Sequence, residues 1–187
     1  MRKIKGFKLV LRPHEVKRRA KKAGLDLEAA GLPEPVLLKF LERAAKGLVP
    51  GVLFDTYGST DADQALLSPM TGLAYSLILA SLGEGFAAVR EKEGSVPEGL
   101  WPVLTEAGLD EAVRFASNII ADEAEKDNCE LSPLTTLSEG PALEAVLRKL
   151  DGAKLGVTAL EGRLAPSASV AVSLSWLAKS KAKGRSK

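Results

Sequence analysis

Apolar residues recur along this chain at two spacings, one near 3.6 residues and one of two, and the alternation between them predicts a mixture of helices and strands. Ile4 to Leu11 sets Phe7, Val10 and Leu11 among lysines and is expected to form a strand exposed on one side, as suits a sheet edge. Pro13 then opens a short helix running through Lys22, with Gly24 as its stop. Pro33 and Pro35 fit the first turn of a second helix, whose stripe of Val36, Leu37, Phe40, Leu41, Ala44 and Leu48 faces a core. Val52-Leu53-Phe54 reads as a short strand that ends in the turn-rich run Tyr57 to Asp61. Leu73 to Leu82, bounded by Gly72 and Gly83, reads as a buried strand, followed by a helix from Glu84 to Glu93.

Gly94 to Gly99 has the composition of a linker, after which Pro102 is expected to start a further short helix with Val103 and Leu104. From Leu109 the set Ala112, Val113, Ala116, Ile119 and Ile120 predicts an amphipathic helix that reaches about Lys126. Asp127 to Gly140 is rich in Ser, Thr, Pro and acids and is expected to be a loop. Pro141 opens a helix with Leu143, Val146, Leu147 and Leu150 on one face, stopped by Gly152. Two strands should follow, Lys154 to Leu160 and Ser169 to Trp176. The second alternates Val170, Val172, Leu174 and Trp176 with serine or alanine. Small residues on one sheet face permit close approach by a second layer, and the whole pattern predicts an α+β fold.

Composition changes this picture little, because 187 residues at 45% hydrophobic and 27% charged fit one domain with a sizeable core. Charge changes it more. Residues 1–22 carry ten Lys/Arg against Glu15, and residues 179–187 carry five Lys/Arg and no acid, so residues 23–178 hold 11 bases and 23 acids. The expected organisation is a basic N-terminal strand or arm at 1–12, a single α+β domain at 13–178 and a basic flexible tail at 179–187. Clustered cations steer phosphates and acidic partners, so one functional reading is a nucleic-acid or acidic-partner module using the two ends. Against it, only Phe7 and Trp176 lie near them to supply base stacking.

The apolar runs 77–80 and 170–174 are far short of the roughly 18 residues a membrane helix needs, and no apolar signal region follows the charged start. No membrane association is expected, and the cytoplasm is the expected compartment. Cys129 and His14 are each the only residue of their kind, which excludes a cysteine metal cage and an internal disulfide and leaves His14 without an obvious catalytic partner. Gly83-Glu84-Gly85 lacks the third glycine of a dinucleotide fingerprint and reads as a strand-to-helix turn. No nucleophile with a base and no paired carboxylates can be named, so independent catalysis is not expected.

The last third of the chain has a recognisable order: a helix over Leu143 to Leu150, then Lys154-Leu155-Gly156-Val157, Leu160-Glu161 and Pro166-Ser167-Ala168-Ser169-Val170. This resembles the closing segment of the activation (reactivation) domain of cobalamin-dependent methionine synthase and its stand-alone relatives. Softer matches precede it in order, at Val16, Leu38 to Ala45, Pro50 to Tyr57, Leu79 to Gly83, and Glu106-Ala107-Gly108 followed by Glu111 to Val113. The resemblance implies a twisted, mainly antiparallel sheet with helices packed on it. It also implies a role beside corrinoid chemistry, either docking on a corrinoid protein or methyltransferase subunit that carries cobalamin, or binding a small anionic metabolite.

The family's S-adenosylmethionine loop corresponds to Thr136-Leu137-Ser138-Glu139-Gly140-Pro141. Ser138 and Gly140 are retained, whereas Thr136 replaces an arginine and Pro141 a tyrosine, and Glu139 adds a negative charge. At roughly 4 Å and an effective dielectric near 20, that charge would oppose a carboxylate by about 4 kcal/mol. Binding of S-adenosylmethionine in the family's manner is therefore not carried over. The candidate ligand residues are Glu161, Ser138, Gly140, Thr136 and Tyr57, and a cleft is expected between residues 136–141 and 156–170.

Overall fold

The computed structural model describes residues 1–93 and 96–179. Its elements in order are β1 (Arg2–Lys5), α1 (Pro13–Lys22), α2 (Glu34–Gly47), β2 (Gly51–Gly58), α3 (Gln64–Leu67), β3 (Ala74–Ser81), α4 (Gly85–Lys92) and α5 (Leu100–Lys126). There follow β4 (Cys129–Leu131), β5 (Thr135–Thr136), α6 (Gly140–Leu150), a 3-10 turn (Gly152–Leu155), β6 (Thr158–Leu160), β7 (Arg163–Ala165) and β8 (Ser169–Ala178). The main sheet runs β1-β2-β3-β8-β4, with β5 also on β8, and every pairing in it is antiparallel. Helices cover both faces, so the fold is α+β with an antiparallel sheet. No helix among the described residues is long and apolar enough to cross a membrane.

Strand alternation sends one set of side chains to each face. Val52, Phe54, Ile78, Ala80, Val172 and Leu174 face a core built with α1, α2, α4 and α5, where Trp101 makes edge contacts with Phe40 and Phe86. Leu53, Tyr75, Leu77, Leu79 and Ala171 face the smaller layer of α3 and α6. The serines of β8 also lie on this second face, and they do not merely make room. The Ser173 hydroxyl donates to the Leu67 carbonyl at 2.6 Å, and the Ser175 hydroxyl accepts from the Met70 amide at 3.0 Å. Small polar residues thus anchor an irregular segment, residues 67–70, over the sheet, supplying backbone groups with partners they would otherwise lack.

Several stretches differ from the sequence expectation. The loop expected over Asp127 to Gly140 carries β4 and β5, which find backbone partners on β8. The short helix expected from Pro102 and the one expected from Leu109 are a single α5 of 27 residues. Gly108 does not break it, because the missing side chain lets the helix approach the sheet: a Cβ there would lie 3.0 Å from Leu82 Cδ1. The strand expected over Ile4 to Leu11 ends at Lys5, where Gly6 takes φ +67. Beyond it, Leu9 and Leu11 enter the core and Phe7 stacks on Phe115 of α5 at 4.3 Å, so alternation is satisfied by helices instead of a partner strand. The strand expected over Lys154 to Leu160 is a 3-10 turn, a left-handed Gly156 and then β6, which pairs only with β7.

Residues 1–12 form an edge strand, Arg2–Lys5, and a segment whose Leu9 and Leu11 line the core. Of the tail expected at 179–187, residues 180–187 lie outside the described residues. The segregated charges meet in space. Arg2 pairs with Glu123, Arg12 with Glu111 at 3.1 Å, Arg19 with Glu106 and Asp110, and Lys179 with Glu125 at 3.7 Å. The acidic face of α5 thus receives bases from both ends of the chain.

Candidate functional site

β5 and its continuation supply one wall of a cleft. Thr136 pairs with Val172, and the Leu137 amide donates to the Ala171 carbonyl at 2.9 Å, so this segment lies along the middle of β8. Leu137 is buried in the second core, and alternation turns its neighbours Thr136 and Ser138 outward. The opposite wall comes from the β6–β7 hairpin and the segment after it. Together Thr136, Ser138, Arg163, Leu164, Ser167 and Ser169 surround a cavity of about 260 Å³. This is the cleft expected between residues 136–141 and 156–170, with a different cation in it.

Arg163 was not singled out by sequence. It makes no ion pair among the described residues and is exposed to the cleft and to solvent. A guanidinium is always charged and presents a planar fork whose geometry matches a carboxylate. The volume matters as well. At about 260 Å³ the cavity is below the roughly 300–1,000 Å³ of sites that bury a whole small-molecule ligand, so it has room for an anionic end group.

Glu161 sits elsewhere. Leu160 pairs with Arg163, and the two residues between them, Glu161 and Gly162, have φ +51 and +75. Positive φ at both central positions defines a type I′ hairpin turn, which matches the twist of the flanking strands. Glu161 is therefore an exposed turn residue outside the cavity wall, and its sequence position beside a match to a ligand segment reflects the hairpin. Gly140 is the first residue of α6, with φ +64, and open space surrounds the position of its absent side chain. Glu139, expected to repel an anion, is exposed at the helix cap and does not line the cavity.

Tyr57 is held in a separate cluster. Its hydroxyl donates to the Lys149 carbonyl at 3.3 Å, its ring stacks on Tyr75 at 5.4 Å, and Lys149 Nζ lies over that ring at 4.5 Å. Since Lys149 is nine residues beyond Gly140 on α6, this cluster is about 14 Å from the start of the helix. Lys149 Nζ reaches both Asp61 oxygens at 2.8 Å, and the Tyr75 hydroxyl donates to Asp61 Oδ1 at 2.8 Å. The Lys149 hydrogen bond holds the Asp61 carboxyl below its ordinary range, with Tyr75 adding to the effect. Burial, helped by Asp55 and Asp61, pushes the Tyr57 phenol up to about 12. Every polar group of this cluster has a partner within it, so it clamps α6 onto the open end of β2 and β3. The structure brings Thr136 and Ser138 together in the cleft, leaves Gly140 and Glu161 at its margins, and assigns Tyr57 to the clamp.

Two further readings find their places here. His14 is exposed in the first turn of α1, and the Cys129 thiol is buried beside the Asp127 carbonyl at 3.5 Å. No group of three His, Cys, Asp or Glu side chains suited to a metal occurs among the described residues. Of the N-terminal bases, Lys3, Lys5, Lys8, Lys21 and Lys22 have no acidic partner among those residues. In comparisons with known proteins, no family model and no curated protein matches this chain.

Proposed function

We propose that the protein is a small-anion-binding accessory module of the reactivation-domain type, in which the cleft between residues 136–138 and 163–171 receives a carboxylate. Of the two roles that the resemblance implies, docking on a corrinoid protein and binding a small anionic metabolite, the cleft supports the second. One observation carries the reading: Arg163, which makes no ion pair among the described residues, lines the same small cavity as Thr136 and Ser138. It restores, from a different strand, the cation whose family position is occupied by Thr136. A guanidinium and hydroxyls are both hydrogen-bond donors, and charge-assisted hydrogen bonds are roughly twice as strong as neutral ones.

The cleft binds and orients; it holds no nucleophile with a base and no proton relay, so the module acts on a ligand presented to or taken from a partner. Calorimetric titration with S-adenosylmethionine, whose amino-acid end carries a carboxylate, and separately with cobalamin tests the reading. Saturable binding of the first that weakens by about tenfold in Arg163→Met is the expected result. Cobalamin binding without any carboxylate binding would favour the docking role instead.

A further inference from the structure

A second cavity, of about 430 Å³, lies at the end of the sheet where β1 and β3 finish and β2 begins. Its walls carry two lysines from unrelated elements, Lys5 at the end of β1 and Lys154 on the 3-10 turn. Gly51 is what lets them share a space. In the sheet Lys5 pairs with Gly51, and a Cβ at that position would lie 3.3 Å from Lys5 Cγ and 2.7 Å from Leu155 Cδ2. A side chain at this position would have to displace the Leu155 methyl group and crowd the Lys5 stem.

The charges are available. Lys5 has no acidic partner among the described residues, and Lys154 has only Asp151, three residues earlier and 3.1 Å away, with both side chains about half exposed. Pairs of that kind contribute little and exchange readily with another anion. On the floor the Ser81 hydroxyl, 2% exposed, accepts from the Gly83 amide at 3.1 Å and from the Ser169 hydroxyl at 3.0 Å. Ser169 lines the first cleft, so the hydroxyl pair is the partition between two cavities that stand back to back.

We propose that this second cavity is a binding site for a phosphate-bearing small molecule, held between Lys5 and Lys154. Two ammonium groups on separate walls match a phosphate ester, which carries about −1.5 to −2 at neutral pH, better than a carboxylate, which one cation satisfies. The volume exceeds that of the anion, leaving space for the body of the molecule that bears it. Glu84, exposed at the rim, opposes the ligand and limits its affinity. The proposal is independent of Arg163 and stands or falls without the first cleft.

Titration of the full chain with inorganic phosphate and with pyrophosphate, followed by phosphorus NMR and calorimetry, tests it. Both lysines are exposed, and unchanged thermal midpoints of the variants will verify that they fold. The expected result is saturable binding, tighter for pyrophosphate, that weakens by about tenfold in Lys5→Met and in Lys154→Met and is lost in the double variant. Binding should be unchanged in Arg163→Met and about two- to fivefold tighter in Glu84→Gln. Absence of saturable binding, or binding indifferent to both lysine substitutions, overturns the proposal. So does loss of binding in Arg163→Met, which would place the phosphate in the first cleft.

Discussion

The two faces of the sheet are covered by helices of very different character. On one face α1, α2, α4 and α5 bury a continuous apolar core in which Phe40, Leu100, Leu104 and Ile120 are almost wholly enclosed. On the other, α3 and α6 rest on a mixture of leucines, serine hydroxyls and one ionic clamp, and the Arg163 cleft opens beside them. Apolar burial is non-directional and scales with area, so the first face sets stability. Hydrogen bonds and ion pairs add less net stability but fix geometry, so the second face sets where α6, residues 67–70 and the cleft walls stand. The lesson is a division of labour between a face that holds the fold and a face that holds the cavity for which binding is proposed.

Substitutions that separate the faces put numbers on that division. Leu104→Ala, in the first core, should cost about 3 kcal/mol in urea unfolding, because truncation leaves a cavity that packed neighbours cannot fill. Next in size is Lys149→Met, which leaves Asp61 half-buried beside Tyr75 without its cation and should cost about 1–2 kcal/mol. Acid titration sharpens this. Asp61 and Glu15 have folded pKa values below their unfolded ones, Glu15 at about 2 because Arg18 and Arg19 bond its carboxylate. Their stabilisation is present above the unfolded values, around 4, and is lost as pH falls through the folded ones. Urea midpoints should therefore drop between pH 4.5 and 2, and the drop should be shallower in Lys149→Met.

Smaller effects are expected nearer the cleft. Ser173→Ala removes the donor to the Leu67 carbonyl and should cost about 1 kcal/mol, read as a lower thermal midpoint with faster amide exchange confined to residues 64–70. Glu161→Asn places in the type I′ turn a residue that accepts positive φ and should raise stability by about 0.5 kcal/mol without weakening anion binding. A loss of binding in that variant would return Glu161 to the ligand.

How far the sequence exposed each face follows the same division. Periodicity found α2, α6, β3 and β8, whose residues Leu37, Val146, Ile78 and Val172 alternate or recur because they are buried by neighbours. It divided α5 at Gly108, since the reason for that glycine is contact with Leu82, which no local pattern records. Glu161 became a ligand candidate through the family resemblance, not through periodicity, and neither signal marked Arg163, because the place of each around the turn is set by the hairpin register. Gly162 alone hinted at a turn, but Glu-Gly is not among the strong hairpin pairs and the flanking runs 158–160 and 163–165 are weakly β-prone. The charge imbalance between the ends and the middle suggested an external partner; α5 supplies acids to Arg2, Arg12, Arg19 and Lys179, while Lys3, Lys5, Lys8, Lys21 and Lys22 have none among the described residues.

The most direct test of the proposed anion cleft is an NMR titration of the isotope-labelled full chain with acetate, comparing the native protein with Arg163→Met. The account predicts saturable amide shifts at Thr136, Ser138, Arg163 and Ser167 that disappear in the variant while its unfolding midpoint stays put. Shifts that fall instead on Lys3, Lys8 and Lys21, or that persist without the guanidinium, would contradict it.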